Sequence, residues 1–256
     1  MKKYTFSDRH IGPREHDINS IMKDVGVKSI DELINQTIPK HIQLNSEMNL
    51  PKPLSENRFI EHMKELANKN KCYRSYIGMG YYNTILPGVI QRNILENPGW
   101  YTSYTPYQAE IAQGRLEALL NFQTMVSDLS AMDLANASLL DEGTAAAEAM
   151  TMLYNCRSRA QKKENVKKIF VSKDCFPQTI DILKTRSAPL AIELVIGDYT
   201  KIEFDKSFYA VILQYPAKHG QIHNYESLSK ELQDKEIAIV VAADLLSLSL
   251  LKPPGE

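Results

Sequence analysis

Two groups of side chains in the middle of this chain have the types and spacing to do chemistry. The first is Pro98-Gly99-Trp100-Tyr101-Thr102-Ser103-Tyr104-Thr105-Pro106-Tyr107, a loop holding the only tryptophan and three of the thirteen tyrosines. Tyr101, Thr102, Tyr104 and Tyr107 offer phenol and hydroxyl groups that could position a small polar substrate, with Gln108 and Glu110 close by. The same run also reads as a packing loop, because tyrosine is at home half-buried in an interface. The second group is Asp141-Glu142-Gly143-Thr144, leading into Ala145-Ala146-Ala147-Glu148-Ala149-Met150. A Gly-Thr turn at a helix N-terminus presents free backbone N–H groups, a common way to hold phosphate. Asp141 and Glu142, just before it, would meet the positive helix end themselves and repel a phosphate. The cradle therefore reads as occupied by protein.

Other reactive types point nowhere specific. His219 and His223 flank Gly220 in an expected loop with no acidic third ligand, so no metal site is expected. Cys72, Cys156 and Cys175 are widely spaced with no CxxC, which suits reduced thiols rather than a disulfide framework or a zinc site. Lys plus Arg number 30 against 31 acids, so charge gives no reason to expect nucleic acid. The basic run Arg157 to Lys168 is interrupted by Glu164 and reads as a solvated helix end and turn. The N-terminus turns polar at Ser7-Asp8-Arg9-His10, unlike a signal peptide. No stretch approaches the roughly 20 apolar residues of a membrane span, Ile237 to Ala243 being the longest candidate. A cytoplasmic location without membrane contact is expected.

The elements that must position these groups follow from periodicity. Glu15 to Val25 carries apolar residues at helical spacing, and Ser29-Ile30-Asp31-Glu32 has a capping signature. Ser55 could cap a helix over about 56–69 that buries Phe59, Ile60, Met63 and Leu66. Cys72 to Pro87 reads as loop, and Gly88 to Glu96 as a short helix. Thr105, Pro106 and Gln108 spell the start of a long helix, whose Leu116, Leu119, Leu120, Phe122, Met125, Val126 and Leu129 predict one buried side. After Val166 the period changes. Lys168 to Ser172, Ala191 to Ile196, Tyr209 to Gln214 and Ile237 to Ala242 read as strands, with helices at Pro177 to Thr185 and Tyr225 to Gln233 between them. Short apolar strands alternating with helices predict an α/β fold with a mostly parallel sheet covered on both faces. Gln214 to Gly220 would then lie at the C-terminal edge, where such sheets bind ligands.

Several long motifs resemble one family. WYTSYTPYQAEIAQGRLEALLNFQ, DEGTAAAEAM, Arg9-His10-Ile11-Gly12-Pro13 and Leu251-Lys252-Pro253-Pro254-Gly255-Glu256 are similar to the N-terminal half of the glycine cleavage system P-protein, in order and across essentially the whole chain. That resemblance implies a fold-type I pyridoxal-phosphate enzyme. The complete enzyme would be an oxidoreductase that decarboxylates glycine and passes the aminomethyl group to the lipoyl arm of H-protein. Such a site needs a Schiff-base lysine, an acid for the pyridinium nitrogen, a stacking side chain and a phosphate cradle. By the resemblance, Asp244 stands at the pyridinium partner, Phe176 at the stacking position where the family often has histidine, and Gly143 and Thr144 at the cradle. Lys218 and His219 replace the family's usual threonine-aspartate pair, which puts the role of that loop in doubt. Lys252, directly before two prolines, does not match a Schiff-base motif, so these positions read as a relic and the catalytic lysine as lying in the other half.

The expected organisation is a helical N-terminal segment over residues 1–80 and a PLP-transferase-like large domain, incomplete, over 81–256. A chain ending just after its last strand reads as a fragment. Its expected partners are a C-terminal half or separate catalytic subunit, lipoylated H-protein and glycine, in an enzyme that is dimeric when complete. Two rival readings remain: an independent fold-type I enzyme using Lys218, and a non-catalytic binding subunit for a lipoylated or folded partner.

Overall fold

A computed structural model of the chain describes residues 5–44, 46–101 and 107–256. It divides into two compact units, Met1–Arg74 and Ser75–Glu256.

The first unit is helical, and its helices start where side chains can take up free N–H groups. They are α1 (Phe6–His10), α2 (Glu15–Val25), α3 (Ile30–Thr37) and α4 (Glu56–Ala67). Ser29 Oγ accepts the N–H of Glu32 at 3.1 Å to start α3, and Ser55 does the same for Arg58 at 3.5 Å in α4. Gly26, at φ 80°, ends α2 in the left-handed conformation that glycine adopts freely. The apolar stripe of α4 departs from its sequence reading. Phe59 and Ile60 remain 54% and 53% exposed, and Met63 and Leu66 are exposed as well. The stripe is real, but nothing described in this chain covers it.

The second unit begins with α5 (Gly88–Ile90), continuing as a π turn over Gln91–Leu95, then α6 (Gln113–Ser130), α7 (Glu142–Asn155) and α8 (Arg159–Lys163). An α/β layer follows: β1 (Lys168–Ser172), α9 (Pro177–Ser187), β2 (Glu193–Gly197), β3 (Phe208–Tyr215), α10 (Glu226–Asp234) and β4 (Ala238–Ala243). The strands form one sheet in the order β2-β1-β3-β4, and each pairing is parallel. Ile169 aligns with Leu194 on one side and Ala210 on the other, and Ala210 with Ala238. Strand β2 starts later than its apolar run suggests, because Ala191, at φ 51°, is still closing the preceding turn.

Alternation along β1 and β3 feeds two cores. On one face Ile169, Val171, Ala210 and Ile212 pack with Ala146, Ala147 and Met150 of α7 and Leu183 of α9. The alanines combine high helix propensity with short side chains, so α7 can lie close to the sheet. On the other face Phe170, Val211 and Leu213 pack with Phe204, Phe208 and Leu232 of α10. The Phe170 and Phe204 rings meet edge to face, 5.2 Å apart at 88°. Strand β4 is half-buried along its length, as the edge of the described sheet.

Helix α6 corrects two expectations. Thr105 and Pro106 lie outside the described residues, but Gln108 is not helical; the helix starts at Gln113, with no side-chain cap on Ala112. Gly114, in its first turn, packs against the preceding loop, where a Cβ would collide with the carbonyl oxygens of Gly99 and, at 2.7 Å, Trp100. Nor is one side buried: Phe122, Val126 and Leu129 are half-buried, whereas Leu120 and Met125 are exposed. Its C-terminus is closed by the Gly255 N–H, which donates to Ser130 O at 2.9 Å.

Because Phe170 is fully buried between both flanking strands, Phe170→Ala should lower the unfolding free energy by about 3–5 kcal/mol. Urea denaturation checks this, with Lys184→Ala on the exposed side of α9 expected to change little.

Candidate functional site

Parallel strands deliver their C-terminal ends to one edge, and five segments converge there. The loop after β1 carries Phe176, and Pro177 then occupies the first turn of α9. Strand β3 ends in Gln214 and Tyr215, followed by a cis bond to Pro216, and β4 is followed by Asp244. Together with the N-terminus of α7 and the loop through Gly80 and Tyr82, they line a cavity of about 500 Å³.

Close packing fixes its walls. Gly80 adopts φ 89°, a conformation strained for any residue with a side chain, and a Cβ there would lie 2.7 Å from Glu142 Oε1 and 3.1 Å from the Phe176 ring. Gly78 and Met79 also have positive φ, and the Gln178 amide donates to Met79 O at 2.8 Å, pinning the loop to α9.

The start of α7 differs from the expected Gly-Thr turn. Gly143 and Thr144 are already helical, and Asp141 is the N-cap, accepting the Thr144 N–H at 2.6 Å. That bond holds the Asp141 carboxyl below the usual carboxylate range. Gly143 faces α9 instead of a ligand: a Cβ there would sit 2.5 Å from Ile182 Cδ1. Glu142 does not cap the helix as its neighbour does. It lines the cavity, and burial raises its pKa; the Gln178 amide, at 3.4 Å, opposes this, while the charges of Asp141 and Asp244 add to it.

Asp244 takes a local role, its Oδ1 accepting the Leu246 N–H at 3.1 Å while its own N–H donates to Tyr215 O at 2.9 Å. The Gln214 amide nitrogen donates to Ala242 O at 2.8 Å, and its Oε1 has no partner among the described residues. The two lysines weighed from sequence as Schiff-base candidates are engaged elsewhere. Lys218 Nζ donates to Lys173 O at 2.6 Å, and Lys252 pairs with Glu226 at 2.9 Å. Burial pushes the Cys175 thiol up to about 12, so it stays protonated and inert.

Of the residues singled out from sequence, Phe176 and Asp244 share the cavity, while Gly143 and Thr144 do not line it and the Thr144 N–H is taken by Asp141. Tyr101 and Tyr107 are 54% and 82% exposed and do not line it. Thr102 and Tyr104 lie outside the described residues. Gly80, Tyr82 and the inward turn of Glu142 were not foreseen. The Gly-x-Gly spacing at 78–80 was the available signal, since two glycines so close mark a backbone with unusual φ.

A pyridoxal phosphate would need phosphate donors, a lysine, an acid for the ring nitrogen and a stacking surface. The acid and the ring are in place. The Thr144 N–H is taken by Asp141, a second carboxylate stands at the wall, and no lysine lines the cavity among the described residues. The residues present do not fit that cofactor.

Known proteins resemble the chain closely. Residues 8–256 match the family model described as glycine cleavage system P-protein. Over 256 residues the chain is 54% identical to the glycine dehydrogenase (decarboxylating) of Flavobacterium johnsoniae, covering 100% of this chain and 27% of that protein. It is 52% identical to the enzyme of the same description from Nostoc punctiforme, covering 26% of its length. Among solved structures, an inhibitor-bound glycine decarboxylase (P-protein) of the glycine cleavage system superposes with a TM-score of 0.82 at 28% identity, over 96% of this chain and 55% of that one. The chain thus spans about a quarter of the length of the curated relatives it matches.

The Glu142 environment carries a pH signature. A carboxyl whose folded pKa is raised favours folding below its unfolded pKa of about 4.3, and that contribution is lost as pH rises through the folded value. Glu142→Gln should therefore melt higher than wild type at pH 7, with the difference closing towards about pH 4. Melting curves across that range check the sign; a lower melting temperature at pH 7 would mean the carboxylate has a stabilising partner.

Proposed function

We infer the function from one premise: this chain belongs to the glycine cleavage system P-protein family. Its fold is that of the family's pyridoxal-phosphate-dependent enzymes. We read it as the N-terminal part of a glycine dehydrogenase (decarboxylating) that releases carbon dioxide from glycine and passes the aminomethyl group to lipoylated H-protein. In that enzyme this part shapes the active site and forms the interface with the catalytic half, in a dimeric assembly in the cytoplasm.

The observation that carries this division of labour is the cavity. It is lined by Asp244 and Phe176, the residues that the sequence resemblance sets at the pyridinium and stacking positions, but Asp141 occupies the Thr144 N–H and neither Lys218 nor Lys252 lines it. We assign turnover to sequence outside these 256 residues. Lys218 as an independent Schiff-base lysine is disfavoured by its bond to the Lys173 carbonyl. Tyr101, Thr102, Tyr104 and Tyr107 are the groups we assign to the shared active site, and exposed Tyr101 and Tyr107 are free to meet another protein surface.

Two measurements test the reading. The folded chain, incubated with pyridoxal phosphate and reduced with borohydride, should show no stoichiometric adduct by intact mass; an adduct at a single lysine would overturn it. In the full-length enzyme carrying this sequence, Tyr101→Phe should slow glycine turnover about tenfold or more, and an unchanged rate would remove Tyr101 from the active site.

A further inference from the structure

We propose that α4 of one copy of this chain docks on the exposed face of α6 of a second copy, an apolar contact bordered by lysine–carboxylate pairs, and that a twofold pair of copies makes this contact twice. The proposal rests on the dimeric reading given above and names its surface. Its test needs neither cofactor nor turnover, so it fails separately from the reaction.

Each helix presents an apolar face with charges of one sign. On α4, Phe59, Ile60, Met63 and Leu66 share one side and are 54%, 53%, 47% and 40% exposed. At about 100° per residue, Lys64 and Lys69, the latter in the turn after the helix, stand about 100–120° from the middle of that stripe. Glu61 and Glu65 lie on the far side, about 160° away. Lysines therefore border the stripe. Glu56, at its N-terminal end, is already paired with Arg9. On α6 the exposed face carries Leu120 and Met125, 65% and 49% exposed, on either side of a line from Glu117 to Asp128. Those two acids share one side of the helix, about three turns apart, and Arg115 lies about 150° round from them. Met132 and Leu134, 53% and 87% exposed, extend the apolar surface past the helix end. Lys64, Lys69, Glu117 and Asp128 are exposed and enter no ion pair among the described residues.

Charge and area choose the occupant. Two α4 stripes face to face would set lysines against lysines, and two α6 faces would set acids against acids. The cross pairing sets Lys64 and Lys69 against Glu117 and Asp128, around the apolar side chains of both helices. A second copy carries both complementary faces, so one twofold operation covers all four helices. Made twice, the contact reaches the order of 1,200 Å² that a stable dimer needs, which one helix pair does not supply.

The 256-residue chain should sediment as a dimer in analytical ultracentrifugation. Lys64→Glu with Lys69→Glu puts acids on both faces, and Glu117→Lys with Asp128→Lys puts cations on both, so each double variant alone should dissociate at least about tenfold more readily. Mixed in equal amounts, the two variants should form a heterodimer, because each face then meets the opposite charge on its partner. Circular dichroism verifies the fold. Lys69→Glu, outside α4, and Asp128→Lys, in the last turn of α6, are the single-charge pair to use if a double variant does not fold. A monomeric wild type would overturn the proposal together with the dimeric reading. A dimer undiminished in either variant would overturn this surface and leave that reading standing. A mixture that stays monomeric would overturn it too, since a contact made within one copy is not restored by mixing.

Discussion

The parallel pairing of β1 with β3, buried on both faces, is the constraint from which the rest of this structure follows. Parallel neighbours cannot be joined by a tight turn, so the chain must leave the sheet and return through helices. Helices supply the apolar cover that both faces need: α7, which precedes the sheet, with the crossover helix α9 on one side, and the crossover helix α10 on the other. A second consequence is directional. Every strand ends at the same edge, so the residues after β1, β3 and β4 become neighbours although Phe176, Gln214 and Asp244 are far apart in sequence.

What that edge can bind is decided by a single cap. The N-terminus of α7 would attract an anion if its first N–H groups were free. Asp141 takes up the Thr144 N–H, and the Glu142 carboxylate stands at the cavity wall with Asp244. Swapping a ligand phosphate for a built-in carboxylate converts an anion cradle into an acidic pocket without altering the fold. The Gly80 loop, packed against Glu142 and Phe176, forms part of the same wall.

Much of this was legible locally. The caps at Ser29 and Ser55, the helix Glu15–Val25 and the four strands depend on patterns of a few residues, and the structure places them within a residue or two. The family motifs were legible for the same reason, being contiguous runs. Less legible were features set by contacts across the chain. Helix α6 starts at Gln113 with no side-chain cap, and its Gly114 meets the backbone of Gly99 and Trp100, a contact that no capping pattern encodes. The apolar stripes of α4 and α6 were read correctly as apolar and wrongly as buried, because periodicity reports which residues share a face and not what lies against it.

By itself, the sequence determined the secondary structure, the parallel α/β class and the family, since propensity, capping and motif identity all reside in neighbouring residues. Only the tertiary structure decided that Asp141 would cap α7 while Glu142 turned towards Asp244, that Gln214 would keep an unpartnered oxygen, and that Lys218 would bind a backbone carbonyl away from the cavity. The physical reason is that a side chain's partner and its burial are set by atoms from distant parts of the chain, which meet only once the sheet has brought its strand ends to a common edge.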